Sequence, residues 1–175
     1  PGANLANVDE NGLVDGKYVP FQNKKDRDPY NKKLMGANVV KMHLEDAKKI
    51  LSEFSKKHGE SKLAYPVIGS KLAKTMGTYA HFTKNKQAED SANDRLRLDQ
   101  AIGTLATKFE KELKGGILTG DMVSRFQNMG LVPIATDPLS VMENKINQMM
   151  EVALSEENIS KKSLANNYHY SPEFD

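Results

Sequence analysis

The chain contains no cysteine, which excludes a disulfide scaffold, a thiol nucleophile and a thiolate metal site together. Tryptophan is also absent, and aromatic residues make up only 7% of the chain, so a core must be built from Leu, Ile, Val and Met. The longest apolar runs are a few residues, far short of the roughly 18 to 20 needed to cross a bilayer. The start of the chain lacks the apolar core of a signal peptide. With 175 residues, we expect one domain with tails.

Motifs of catalysis are missing as well. There is no Gly-x-Ser-x-Gly elbow and no His-Glu-x-x-His sequence, and the four histidines are dispersed. Residues 8–16 lack the alternating oxygen ligands of a calcium loop, and residues 68–71 lack the Gly-Lys-Ser/Thr order of a phosphate loop. We therefore expect a non-enzymatic protein with no catalytic residue, no cofactor, no metal site and no small-molecule substrate.

Positive charge is unevenly distributed, although the net charge is only +2. Basic residues dominate residues 17–33 and 56–86, while residues 137–157 are acidic. Such segments either form a solvated surface or neutralise the phosphates of a nucleic acid. Arginine is sparse, so any such binding is expected to be independent of base sequence. The candidate nucleic-acid contacts are Lys24, Lys25, Arg27, Lys32, Lys33, Lys71, Lys74, Lys84 and Lys86.

Apolar residues recur at helical spacing through the middle of the chain. One seam runs at intervals of four and three residues through Val40, Leu44, Ala47, Leu51 and Phe54. Similar seams predict helices over residues 37–58, 67–82, 91–113, 120–129 and 138–154, with a further short helix reaching residue 164. The fold class predicted is all-α: a bundle of about four to five helices, with an extended N-terminal arm and a largely irregular C-terminal tail.

Residues 115–154 carry the clearest helix boundaries. Thr119 is placed to cap one helix, Gly130 to end it in a left-handed conformation, and Asp137 with Pro138 to start the next. The pattern predicts a helical hairpin. Five of the eight methionines lie there, and they either fill the core or line a groove for a partner.

The two ends of the chain have turn-forming rather than core-forming composition. We predict an arm over residues 1–36, a helical domain over residues 37–164 and a tail over residues 165–175. Arms of this kind commonly become ordered on a neighbouring subunit. The candidate partner-binding residues are Tyr18, Phe21, Tyr30, Tyr168, Tyr170 and Phe174.

The segment 115–154 also resembles part of the internal virion, or DNA-ejection, proteins of tailed bacteriophages. The resemblance lies in a helix ending in Gly-Gly, then Ile-Leu-Thr-Gly-Asp, a short helix, Pro133, and Asp137-Pro138 leading into a helix with Lys145-Ile146. It implies a capsid-internal or portal-associated component that travels with the genome and has no cofactor or active site in this portion.

Three functions are compatible with these features. The leading hypothesis is a structural or interaction protein of a larger homo- or hetero-oligomeric assembly, specifically a phage virion protein. The alternatives are a sequence-independent nucleic-acid-binding helical protein and a secreted effector or adaptor that binds a protein partner through the Met-rich hairpin. The expected location is the virion if the protein is phage-derived, and otherwise the cytoplasm.

Overall fold

The computed structural model describes residues 18–20, 24–166 and 168–170, and its fold is all-α, which confirms the predicted class. Six α-helices lie in this part of the chain, with one 3-10 turn, Lys62–Ala64, and two three-residue strands. The helices are α1 (Lys24–His58), α2 (Ile68–Thr83), α3 (Lys86–Gly103), α4 (Leu105–Lys114), α5 (Gly120–Asn128) and α6 (Leu139–Asn166). The sequence predicted α3 and α4 as a single helix, and counting them together brings the number to the expected five.

The long helices α1 and α6 form the backbone of the core. They run antiparallel, since Lys48 Nζ lies 2.8 Å from Asn147 Oδ1 while Lys41 Nζ lies 2.7 Å from Glu157 Oε2. The seam predicted on α1 is buried, and the helices α3 and α4 and the 3-10 turn also contact α1. On α6 the predicted seam is buried as well: Met142, Ile146, Met149 and Ala153 are all fully inaccessible.

Helix α1 begins at Lys24, so the predicted arm over residues 1–36 is wrong for its last thirteen residues. Pro29 contributes to the turn-forming composition of this segment, but it lies in the second turn of α1. Its missing amide there removes only one helix hydrogen bond, to the carbonyl of an exposed residue. Tertiary packing holds this end: Gly36 and Ala37 are buried, and a Cβ on Gly36 would lie 2.7 Å from the carbonyl oxygen of Ile117.

Helices α2 and α3 form an antiparallel pair joined by a tight turn, where a longer polar connector over residues 83–90 was predicted. Lys84 ends α2 in the left-handed region with φ 55°, and the side chain of Asn85 accepts from the amide of Ala88, 3.2 Å away, to cap α3. Ser91, where the sequence predicted this helix to begin, therefore lies inside α3. The break between α3 and α4 falls at Thr104, whose hydroxyl donates to the carbonyl of Gln100, 2.8 Å away.

The predicted end of α5 at Gly130 is confirmed. Gly130 has φ +62°, its amide bonds the carbonyl of Gln127, and the amide of Leu131 bonds that of Phe126. This pair of bonds is a Schellman motif. Gly116, with φ +73°, ends α4 in the same way.

Thr119 and Asp137 do not make the capping hydrogen bonds that the sequence predicted for them. Thr119 precedes α5, but its side chain makes no capping bond. The carboxylate of Asp137 accepts from the amide of Ile134 at 3.0 Å and from Lys145 Nζ at 2.8 Å, so it closes a turn and pairs with α6. The expected helical hairpin also differs, because α6 packs chiefly along α1 and meets α5 through the Arg125–Glu156 ion pair.

Helix α6 is continuous to Asn166, so the separate short helix predicted after Leu154 does not exist. Glu157 is buried at that point and accepts from Lys41 of α1 and from Lys161. Hydrogen bonds from Lys161 and Lys41 lower the pKa of Glu157. This carboxylate fastens α6 to α1 rather than capping a new helix.

Short strands lie beyond both ends of the bundle, where the sequence predicted irregular segments. The strand β1 (Tyr18–Pro20) pairs antiparallel with β2 (Tyr168–Tyr170), with Tyr18 opposite Tyr170. Each strand is too short to show alternation in sequence, and the partner of each lies at the far end of the chain. The described segments that flank the bundle on either side therefore pair with each other.

Candidate interaction surface

Helix α2 has two apolar faces, and they differ in side-chain size. The inner face contains the small buried residues Gly69, Ala73 and Ala80, with Met76 partly buried beside them, and the helix packs against α3. Helix α3 approaches closely, since a Cβ added to Gly77 would lie 3.7 Å from the Cβ of Ala92. Small side chains let two helices approach closely, so this inner face packs tightly on α3.

A second face of α2, adjoining the inner face, carries Thr75 and large apolar side chains at intervals of four, three, four and three residues. We call it the outer stripe, and its members are Ile68, Leu72, Thr75, Tyr79 and Phe82. Leu72 is half-buried, but Ile68, Tyr79 and Phe82 are 58%, 69% and 80% exposed. The hydroxyl of Thr75 donates to the carbonyl of Lys71 at 3.1 Å, so this residue needs no further partner. The stripe is therefore an apolar, heptad-spaced surface open to solvent.

A strained turn extends this surface beyond the start of α2. Val67 has φ 60° and ψ −55°, and the amide of Ile68 lies 2.5 Å from the carbonyl oxygen of Pro66. This is a γ-turn of the rare form, which is unfavourable for a β-branched residue. Tyr65 and Val67, 50% and 44% exposed, add two large apolar side chains directly before the stripe in sequence. Backbone strain of this kind is concentrated at binding sites.

The charge of α2 has one sign. The helix contains Lys71 and Lys74 and no Asp or Glu, and Lys84 and Lys86 follow at its end. All four of these candidate nucleic-acid contacts are exposed. The structure therefore places Lys71 and Lys74 on the same helix as Tyr79 and Phe82, Lys84 in the turn after it, and Lys86 at the start of α3.

The remaining predicted basic contacts lie elsewhere. Lys24, Lys25, Arg27, Lys32 and Lys33 occupy the first turns of α1. Lys33 and Lys57 are separated by about 36 Å along that helix at 1.5 Å per residue, and Lys57 and Lys86 line one open depression at its far end. The two basic segments thus do not form a continuous surface.

The aromatic residues predicted to bind partners are also dispersed. Tyr18, Tyr168 and Tyr170 belong to the paired strands, and Tyr30 is half-exposed on α1. Phe21 and Phe174 lie outside the described residues. We placed the candidate partner-binding residues in these arms from the sequence and did not single out the exposed residues of α2, although Ile68, Leu72, Tyr79 and Phe82 share a helical spacing that is visible in the sequence.

The methionines of residues 115–154 do not form a groove. Met122, Met142 and Met149 are buried in the core, Met150 packs partly against it, and Met129 alone of the five is largely exposed, at 58%. Core filling is therefore the correct interpretation, and a Met-rich binding hairpin is wrong.

A buried arginine on α3 was not predicted to have any role. Arg95 is fully buried and donates to Asp99 at 2.9 Å, to the carbonyls of Leu63 at 2.8 Å and Ala135 at 3.2 Å, and to the hydroxyl of Ser70 at 3.2 Å. Its guanidinium also lies 5.8 Å from the ring centroid of Phe54. The sequence did contain a signal for its burial, because Arg95 lies between Ala92 and Leu98 on the apolar seam of α3. Arg95 joins α3 to the first turn of α2, the 3-10 turn and the loop before α6.

Two histidines of α1 lie beside carboxylates of other helices. Nε2 of His58 lies 3.0 Å from Asp94 Oδ2 of α3, and Nε2 of His43 lies 3.6 Å from Glu112 Oε1 of α4. Partial burial would raise the pKa of Asp94, but hydrogen bonds with His58 and Lys57 and the charge of Lys57 outweigh it and hold that pKa below its ordinary value. These pairs connect helices.

Metal binding and membrane insertion find no support in the residues that the structure describes. Among them, no group of three or more His, Asp or Glu side chains is placed to hold a metal ion. In the same residues, no helix combines the length and the apolar character needed to cross a membrane.

Comparison with known proteins provides no family. No protein-family model, curated protein or solved structure matches the chain.

Proposed function

We propose that this protein is a non-enzymatic interaction protein, a component of a larger assembly, and that it binds another protein through the outer stripe. The observation that carries the proposal is the 69% and 80% exposure of Tyr79 and Phe82 on a helix whose inner face already packs on α3. Large aromatic side chains dominate the energy of protein interfaces and are seldom left in water as a contiguous group. The strained turn at Val67 supports the same assignment.

A phage virion component, internal or portal-associated, is the specific form of this proposal. It rests on the resemblance of residues 115–154, which contribute α5 and the first half of α6. In such an assembly, α2 would face a neighbouring subunit.

Photo-crosslinking tests whether α2 binds a protein. Benzoylphenylalanine replaces Phe82 in the full chain, and in a control chain it replaces Ser52, an exposed residue of α1. After irradiation in a lysate of the source organism, we expect discrete protein adducts from position 82 and none of the same mass from position 52. Equal labelling from both positions, or no adduct from position 82, would contradict the proposal.

Sequence-independent binding of single-stranded nucleic acid is a second candidate. The observation that favours it is the exposure of Tyr79 and Phe82 on the helix that carries Lys71 and Lys74, because bases stack on aromatic rings while lysines neutralise phosphates. Binding of a labelled single strand should weaken with salt, and the salt dependence should decrease when Lys71, Lys74 and Lys84 are replaced by Ala. Absence of binding at low salt would dismiss this candidate.

A further inference from the structure

We infer that the partner bound by the outer stripe is an acidic amphipathic helix of another protein. This inference rests on the proposed function and adds the shape and charge of the partner. Three observations on α2 carry it: the spacing of the stripe, the sign of the charge beside it, and the side of the stripe on which that charge lies.

The spacing selects a helix as the partner. Ile68, Leu72, Thr75, Tyr79 and Phe82 follow the alternating intervals of a heptad seam, in which knobs from one helix enter holes on another. From Ile68 to Phe82 the stripe is about 21 Å long, which matches roughly four turns of a partner helix. For a nucleic acid, Ile68 and Leu72 offer no ring on which a base can stack.

The charge selects an acidic partner. Helix α2 contains no carboxylate, Lys71 lies in the position that flanks a heptad seam, and Lys74 lies on the same side of the helix, one position further from the seam. The other border, at Met76, leads into the packed interface with α3. Cations therefore approach the partner from one side only, and a helix with Glu or Asp along its matching edge would complement them.

The same charge argues against a second copy of α2 as the occupant. Two outer stripes placed face to face would bring the lysines of both helices together, with no carboxylate on either helix to pair with them. Like charges at an interface disfavour the wrong partner. The preferred occupant is thus a helix of different sequence.

Two synthetic peptides provide the probe. Both are 21-residue acetylated helices with Leu and Ile at the seam positions; the flanking positions carry Glu in one and Lys in the other. Fluorescence anisotropy with the full chain should show the acidic peptide binding at least about tenfold more tightly at 50 mM salt, with the preference decreasing as salt screens the charges. The K71E/K74E variant should reverse the preference, and Y79S/F82S should weaken the binding of both peptides.

Each outcome separates this inference from the proposed function. Equal affinity for the two peptides, or binding of neither, overturns the acidic helix but leaves the proposed function standing if position 82 still crosslinks to a protein. Loss of that crosslink overturns the proposed function itself. An adduct with the mass of two chains identifies a second copy instead. Tighter binding to phosphatidylserine vesicles or to a single-stranded oligonucleotide than to the acidic peptide also overturns the inference.

Discussion

The two faces of α2 reverse the usual distribution of side-chain size. Its buried face is built from Gly69, Ala73 and Ala80, whereas Ile68, Tyr79 and Phe82 lie in solvent. A helix that served only the core would place its largest apolar side chains inside, since burying each contributes roughly 1.5 to 3 kcal/mol. This difference indicates that α2 is stabilised by its close approach to α3 at the inner face. The exposed residues of the outer stripe are not needed for that packing.

The stability of the packing at the inner face of α2 depends on Arg95 of α3 more than on any residue of α2 itself. Replacement by Met leaves the carbonyls of Leu63 and Ala135 and the carboxylate of Asp99 without their donor. Loss of a buried charged partner is expected to lower the free energy of unfolding by about 3 to 5 kcal/mol, measured by urea denaturation. The matched control, Arg125→Met, removes an arginine whose side chain is 46% exposed and should cost less than about 1 kcal/mol. Equal losses in the two variants would contradict this account.

Gly69→Ala tests the close approach directly. The added Cβ would lie 2.1 Å from the carbonyl oxygen of Leu63 and 3.1 Å from Nη1 of Arg95, so the 3-10 turn must move. We expect a loss of about 2 kcal/mol in the free energy of unfolding. Gly103→Ala, where nothing lies within 4 Å, is the control and should stabilise the chain by about 0.5 kcal/mol. A neutral Gly69→Ala would show that the inner face is loosely packed.

Val67→Gly is expected to raise the free energy of unfolding, whereas Gly69→Ala lowers it. Glycine adopts φ 60° without a steric penalty, so relief of the γ-turn should outweigh the larger entropy of the unfolded chain and stabilise the protein by about 1 kcal/mol. Thermal unfolding measures the gain, with Ala as the variant that keeps the strain. If the glycine variant is the less stable of the two, the turn is not strained in solution.

The stability of the protein as a function of pH distinguishes α2 from α3. Helix α2 has no carboxylate, whereas Asp94 of α3 lies within hydrogen-bond distance of His58. The lowered pKa of Asp94 means that its contribution is complete above the ordinary value of 3.8 and is lost as the pH falls through the folded-state value. Asp94→Asn should therefore cost up to about 1 kcal/mol at pH 6 and progressively less below pH 3.8. A cost that does not change with pH would rule out the charge of Asp94 as its source.

Much of the bundle could be predicted because its signals are local. The seam from Val40 to Phe54 and the turn at Gly130 depend on spacing and backbone conformation within a few residues, and the structure has both. The start of α1 was not predictable in this way. Gly36 and Ala37 are buried, and Gly36 packs closely on the backbone of Ile117, about eighty residues further along the chain. Tertiary contact overrode the turn-forming composition around Pro29.

The candidate surface shows the same limit. A stripe through Ile68 and Phe82 is visible in the sequence, yet whether it faces the core depends on which side of α2 meets α3. That choice follows from Gly69, Ala73 and Ala80 acting together with Ala92, a contact between helices that no single segment reveals. Arg95 is similar, since its acceptors Leu63, Ser70 and Ala135 come from three separate segments.

The outer stripe should contribute least to stability. Tyr79→Ser with Phe82→Ser removes side chains that are 69% and 80% exposed, and Ser has a helix propensity close to that of Tyr and Phe, so the free energy of unfolding should stay within about 0.5 kcal/mol of the parent. The matched variant Ala73→Val with Ala80→Val enlarges the inner face of the same helix and should cost at least about 2 kcal/mol. Urea denaturation compares the two. A large loss from the serine variant would place Tyr79 and Phe82 in the core of the folded protein and remove the reason for regarding the outer stripe as a binding surface.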